Sequence, residues 1–303
     1  MNLTAVERIA NAVLYEGYLL YPYRPSALKN QKRFHFGVLR PRTYCKRTGD
    51  GQWMSRVEFL LEGASETTVT CAVRFLQIGE RDGRQEGYAR EVEFHFRAIF
   101  ELVSTPACRA FHFIGGPEGA RFGALSGLAE LSAKTVGKDL YQLSLATRNE
   151  SEEPEESGGG ANWLDSFVSL HAVLRTEGGS FVSLLDPPEA LRFAAAGCRN
   201  DSAWPVLAGK PGSHDTMLAS PIILYDYPEI APESPGDFFD ATEIDEILML
   251  RILTLTDAEK QEMRAGDARG RQILERAESL GPAELAKLHG VWRELAQTRN
   301  EVL

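Results

Sequence analysis

Between Phe34 and Leu185 hydrophobic residues recur at every second position in one block after another, and this period of two limits the fold more than any other feature. Val57, Phe59 and Leu61 are followed by Val69, Cys71, Val73 and Phe75, and then by Val92, Phe94, Phe96 and Ala98. In the last block the intervening Glu91, Glu93, His95 and Arg97 are polar, so one face is wet. Phe34 to Leu39, Arg109 to Ile114 and Leu140 to Ala146 read as further strands. Val168 to Leu174 and Phe181 to Leu185 read as a hairpin turning at Glu177-Gly178-Gly179, with two β-like pieces at Trp204 to Leu207 and Ile222 to Tyr227. Helical crossovers between these strands are missing, which excludes a βαβ architecture. The pattern predicts an α+β chain with an antiparallel β-rich core, sandwich-like or barrel-like.

Helical spacing marks the two ends. Val6, Ile9, Ala10, Val13 and Leu14 predict a helix from Thr4 to Leu20, with Thr4 and Glu7 as a capping box and the prolines of Tyr21-Pro22-Tyr23-Arg24-Pro25 as its stop. Asp186-Pro187-Pro188-Glu189 reads as a capped helix start, ending near Gly197. Thr242, Thr256-Asp257-Ala258-Glu259 and Gly281-Pro282 start three more helices. The expected organisation is an N-terminal helix plus β-rich domain over residues 1–230, and a helical segment over 231–303 packed on it. Residues 149–162, NESEEPEESGGGAN, are acidic and then glycine-rich, and predict a mobile loop inside the β region.

Charge matters here because it is segregated. The 303-residue chain holds 33 Lys and Arg against 43 Asp and Glu, a net −10 that argues against binding a phosphate backbone. Residues 21–56 nevertheless carry nine cationic side chains against Asp50 alone, interleaved with Tyr21, Tyr23, Phe34, Phe36, Tyr44 and Trp53. Cations among aromatics suit single-stranded nucleic acid, but alternation turns those rings toward a core, so internal pairing or a solvated face is preferred. Residues 211–250 hold nine carboxylates and no Lys or Arg. Such opposed blocks suit a polar protein interface or an internal contact between them. The surface residues singled out for a partner are Tyr21, Tyr23, Arg24, Lys29, Asp226, Tyr227, Glu229, Asp237 and Asp240.

Chemistry has weaker footing. His214, Asp215, Asp226 and Glu229 are oxygen and imidazole donors in one stretch and form the candidate set for a divalent metal, although H-E-x-x-H and D-x-D-x-D-G spacings are absent. His35, His95, His112 and His171 all fall in expected strands, with alternation placing His95 and His171 on wet faces. Cys45, Cys71, Cys108 and Cys198 lie far apart without a C-x-x-C pair, and Cys71 and Cys108 read as small buried hydrophobes. No G-x-S-x-G elbow or phosphate-binding glycine loop occurs. These features lean away from an enzyme and require no cofactor. Residues 1–11 lack a secretory signal pattern and no apolar run approaches the ~20 residues of a membrane span, which predicts a cytoplasmic location without membrane insertion.

Three segments, residues 10–30 (ANAVLYEGYLLYPYRPSALKN), residues 186–197 and residues 217–255 (MLASPIILYDYPEIAPESPGDFFDATEIDEILMLRILTL), resemble a bacterial family of about this length with no assigned activity. Genes of that family tend to lie beside those for nickel-iron hydrogenases and their maturation factors. The resemblance implies an accessory to hydrogenase assembly or operation, with a hydrogenase subunit or maturation factor as the partner. It transfers no site residue. The paired C-x-x-C motifs that hold a nickel-iron centre are absent, so the chain does not look like the catalytic large subunit. The expectation is a non-catalytic interaction protein; the alternatives are a metal-dependent enzyme or carrier using His214 to Glu229, and a nucleic-acid binder using residues 21–56.

Overall fold

The computed structural model describes residues 36–81, 84–116, 118–152 and 163–229, together with positions 6, 8–11, 14, 255–257, 260, 261, 264, 271, 274, 275 and 278; at 84 and 94–97 the backbone alone is described. The chain divides into two compact units, Met1–Leu14 with Phe34–Pro228, and Tyr15–Arg33 with Glu229–Leu303.

The first unit is built on one antiparallel sheet of nine strands, so the period of two correctly marks an antiparallel β-rich core. The strands are β1 (Met54–Arg81), β2 (Arg84–Ala98), β3 (Ala107–Phe113), β4 (Arg121–Phe122), β5 (Leu125–Gly137), β6 (Leu140–Asn149), β7 (Phe167–Val182), β8 (Trp204–Leu207) and β9 (Thr216–Ser220). Their pairing path runs β3-β5-β6-β1-β7-β9-β8, with β2 and β4 both on β1, and the sheet does not close on itself. Among the described residues three short helices accompany the strands: α1 (Arg42–Thr48) before β1, α2 (Ile99–Ser104) after β2 and α3 (Arg192–Ala196) between β7 and β8.

β1 organises the sheet. Its first half pairs with β6 from Met54↔Arg148 to Glu62↔Leu140, and its second half with β2 from Thr68↔Ala98 to Arg81↔Arg84. β7 pairs along much of its length. The two apolar blocks that read as separate strands, Val57 to Leu61 and Val69 to Phe75, are therefore one 28-residue strand. Their side chains join Phe167, Leu170, Leu174 and Phe181 of β7 and Leu125, Ala129 and Leu131 of β5 in a single buried cluster. Phe75 stacks on Phe167 with ring centroids 4.5 Å apart, and Phe111 and Phe113 close around Phe75.

The opposite face of the sheet is partly covered as well. Leu60, Leu140 and Val182 pack with Ala195 of α3. Residues Val6, Ile9, Ala10 and Leu14, helical and buried, fit the expected N-terminal helix, and Arg74 Nη2 donates to Asn11 Oδ1 over 2.6 Å.

Several expectations are corrected. Residues Glu177-Gly178-Gly179 do not turn a hairpin: β7 runs on through them, and Gly178 (φ 81°) sits opposite residues 64–67, which β1 bulges out between Gly63 and Thr68. Thr67 Oγ1 donates to the Gly178 carbonyl across that bulge, which removes the free turn that a glycine pair suggests. Phe36 to Leu39 is not a strand. Gly37 (φ 54°) breaks the alternation, because a Cβ there would come within 2.8 Å of the Leu170 backbone nitrogen. Residues Ile222 to Tyr227 form bends, and the strand lies earlier, at Thr216–Ser220. Asp186 does not cap the helix before Gly197; a 3-10 turn at Glu189–Leu191 leads into α3 with no side-chain cap.

The acidic insert starts later than residue 149. Asn149 is fully buried, and its Nδ2 donates to the carbonyls of Leu39 (2.8 Å) and Asp165 (2.9 Å), which makes it part of the core frame. Residues 153–162 lie outside the described residues. In the second unit Lys260 N–H donates to the Thr256 carbonyl over 2.9 Å at the start of a helical stretch, as the second capping box anticipates. The helices expected from Thr242 and Gly281 lie outside the described residues. Among the described residues no helix is long and apolar enough to cross a membrane.

Candidate functional site

Two features of the first unit carry groups arranged for recognition. The first is the turn after β9. Ser220 ends the strand, Pro221 is buried, and the chain then alternates outward, leaving Ile223 78% and Tyr225 87% exposed. Exposed large apolar side chains on an irregular segment usually signal looseness, but this segment is pinned. Asp226 accepts the Leu207 N–H at Oδ1 over 2.8 Å and the Ser183 hydroxyl at Oδ2. Ser183 Oγ in turn accepts the N–H groups of Leu185 (3.1 Å) and Asp186 (2.9 Å). Tyr227 donates its N–H to the Leu207 carbonyl over 2.7 Å, packs on the main core and holds a left-handed φ of 56°. A bulky residue in that region costs ~1–3 kcal/mol and persists only where its surroundings fix it.

The second feature is an open cleft of about 540 Å³ formed by three pieces of chain: Phe36 to Arg40, Asp50 to Gln52, and Asn200 to Trp204. Trp163 and Pro221 complete its wall. Arg40 N–H donates to the Gln52 carbonyl over 2.7 Å, and Gln52 Nε2 donates to Asp201 Oδ1 over 3.2 Å. Ser202, at φ 69°, donates its hydroxyl to the Gln52 side-chain carbonyl. The Arg40 guanidinium lies 4.6 Å from the Trp163 ring and 5.0 Å from the Tyr44 ring, and its Nη1 is buried with no hydrogen-bond acceptor among the described residues. A Cβ at Gly51 (φ 76°) would come 2.8 Å from Arg40 Cδ, so the arginine stem occupies the space that a side chain at 51 would fill.

Of the residues expected to meet a partner, Asp226 and Tyr227 share the pinned turn, and Glu229 is exposed in the second unit. Tyr21, Tyr23, Arg24, Lys29, Asp237 and Asp240 lie outside the described residues. Three of the four candidate metal ligands make hydrogen bonds within the fold. His214 Nδ1 donates to the Phe181 carbonyl over 2.9 Å, Asp215 Oδ1 accepts the Thr216 hydroxyl over 2.8 Å, and both Asp226 oxygens are occupied as above. Among the described residues no three His, Cys, Asp or Glu side chains converge in a way that suits a metal ion.

Of the four histidines expected in strands, the two with described side chains, His112 and His171, differ in setting: the first is exposed and the second buried. His35 and the side chain of His95 lie outside the described residues, and His112 Nδ1 meets Ser126 Oγ at 2.8 Å on the surface. His171, expected on a wet face, is 2% exposed because both faces of β7 are covered. Its Nδ1 donates to the Ser169 carbonyl over 2.8 Å, and Nε2 has no partner among the described residues. Burial drives its pKa down from 6.5 to about 3, so the ring stays neutral. Burial likewise raises the thiol pKa of Cys71 and that of Cys198, the latter to about 11, while Cys108 is exposed rather than buried.

In the basic segment, Tyr44 faces Arg40 and Arg47, and Trp53 faces Arg42 at 4.6 Å. These rings are engaged by cations of their own segment. The residues missed in the sequence are Arg40, Trp163, Asp201 and Trp204 of the cleft, and Ile223 and Tyr225 of the turn: none has a spacing that marks it, and only folding brings them together. No protein-family model matches the chain, and no curated protein is significantly similar to it.

Proposed function

We propose that this chain is an accessory protein that acts by holding a protein partner, with the turn from Ile223 to Tyr227 as its anchor. The observation that carries this reading is the pairing of exposure with rigidity. Ile223 and Tyr225 project from a backbone fixed by Asp226 and by the hydrogen bond between Tyr227 and Leu207. Aromatic and aliphatic anchors presented without an ordering cost are the groups that dominate protein interfaces. Leu185 (53% exposed) lies two residues after Ser183, the residue tied to Asp226, and donates its N–H to the Ser183 hydroxyl oxygen.

The resemblance of residues 217–255 to a hydrogenase-linked family supplies the partner class: a subunit or maturation factor of a nickel-iron hydrogenase, met in the cytoplasm. The carboxylates of residues 211–250 favour a partner rich in basic residues. Deleting the gene in its native cell tests the physiological part. Hydrogenase processing and activity fall if the reading holds, and unchanged processing with unchanged activity sinks it.

A further inference from the structure

The cleft beside Arg40 has no part in the partner reading, and its charges point to a ligand of its own. Among the described residues Arg40 forms no ion pair, and its guanidinium Nη1 is shut away from water without an acceptor. Tyr44 and Trp163 stabilise the cation through their ring faces but neutralise nothing. A cleft of about 540 Å³ is of the size that takes small molecules, typically ~300–1,000 Å³. The exposed parts of Phe36 and Trp204 offer apolar surface in its wall.

The same wall holds two carboxylates, Asp50 and Asp201. One cation with two anions repels a phosphate dianion but matches a molecule that carries one oxyanion and one protonated amine. Asp201 is already oriented to receive such an amine, because Gln52 Nε2 donates to its Oδ1 and the Ser202 hydroxyl lies 3.4 Å from the same oxygen, which fixes the carboxylate on the cleft wall. We propose that this cleft binds a small zwitterion of the amino-acid class, its carboxylate facing Arg40, its ammonium facing Asp201 and its side chain lying on Phe36 and Trp204.

Calorimetric titration of the full chain with phenylalanine and leucine tests this, alongside phenethylamine (no carboxylate), 3-phenylpropionate (no amine) and phenyl phosphate. Saturable binding of phenylalanine or leucine is expected, weaker by about tenfold or more for either analogue that lacks a charge. Arg40→Gln loses the preference for phenylalanine over phenethylamine, Asp201→Asn loses the preference over 3-phenylpropionate, and Arg40→Lys retains part of the affinity. Arg109→Gln, at an exposed position of β3, leaves binding unchanged. If Arg40→Gln fails to fold, the comparison of phenylalanine with phenethylamine on the natural chain decides alone. The proposal is overturned by no saturable binding of either amino acid up to about 10 mM, by equal affinity for phenethylamine, or by tighter binding of phenyl phosphate.

Discussion

Leu207 and Asp226 are tied through the end of β8: the Leu207 N–H donates to Asp226 Oδ1 over 2.8 Å, and the Leu207 carbonyl accepts the N–H of the next residue, Tyr227, over 2.7 Å. With Ser183 on the other carboxylate oxygen, one aspartate joins the end of β7, the end of β8 and the turn after β9. Asp226→Ala leaves the Leu207 N–H and the Ser183 hydroxyl without their acceptor. A loss of about 1–3 kcal/mol in urea unfolding is expected, and Asp226→Asn, which keeps one carbonyl acceptor, loses less. Equal stability of the alanine variant and the natural chain would show that the carboxylate does not pin the turn.

His171 makes stability depend on pH. Its folded pKa, about 3, lies below the unfolded value of 6.5, so only the unfolded chain takes up the proton between those limits. The associated stability is fully present above pH 6.5 and is lost progressively as pH falls toward 3. Between pH 7 and pH 5 the natural chain should lose about 2 kcal/mol relative to a His171→Gln variant. Parallel stability profiles for the two proteins over that range would remove His171 as the cause.

The stacked pair Phe75 and Phe167 sits where β1, β3 and β7 meet. Phe75→Ala should cost about 3–5 kcal/mol, measured by chemical denaturation, whereas Phe193→Ala on α3, at a position 94% exposed, should shift stability by less than about 0.5 kcal/mol. Similar losses from both would contradict the placement of the core.

Thiol chemistry separates Cys71, Cys108 and Cys198. Cys108 is exposed on β3 and should react first with a water-soluble disulfide reagent. Cys71, buried with its pKa raised by desolvation, should react only on unfolding, and Cys198 slowly. A native chain that exposes two fast thiols would be at odds with this order.

The β-rich core was legible because alternation reports burial directly: Val69, Cys71, Val73 and Phe75 all point into one cluster. β5 escaped notice because two of its inward positions, Gly127 and Ala129, are small and Leu128 lies on the other face, which blurs the pattern in Ser126-Gly127-Leu128-Ala129-Glu130. Continuity was also hidden. Nothing local says that β7 runs on through Gly178 rather than turning there, since the deciding partner is Thr67, more than one hundred residues earlier. The recognition features were less legible still. Asp226 stood out as a charge in an acidic block, but its role depends on Ser183 and Leu207, and Arg40 meets Trp163 and Asp201 in one cleft only through the pairing of Leu39 with Gln52 and Phe167.

The partner-holding role is tested most directly by affinity capture from the native cell, using the natural chain and an Ile223→Asp/Tyr225→Asp variant, with the captured proteins identified by mass spectrometry. The expected result is a hydrogenase subunit or maturation factor on the natural chain, depleted by about tenfold or more on the variant, with the two proteins melting at the same temperature. Equal recovery on both, or no such protein on either, would contradict the account.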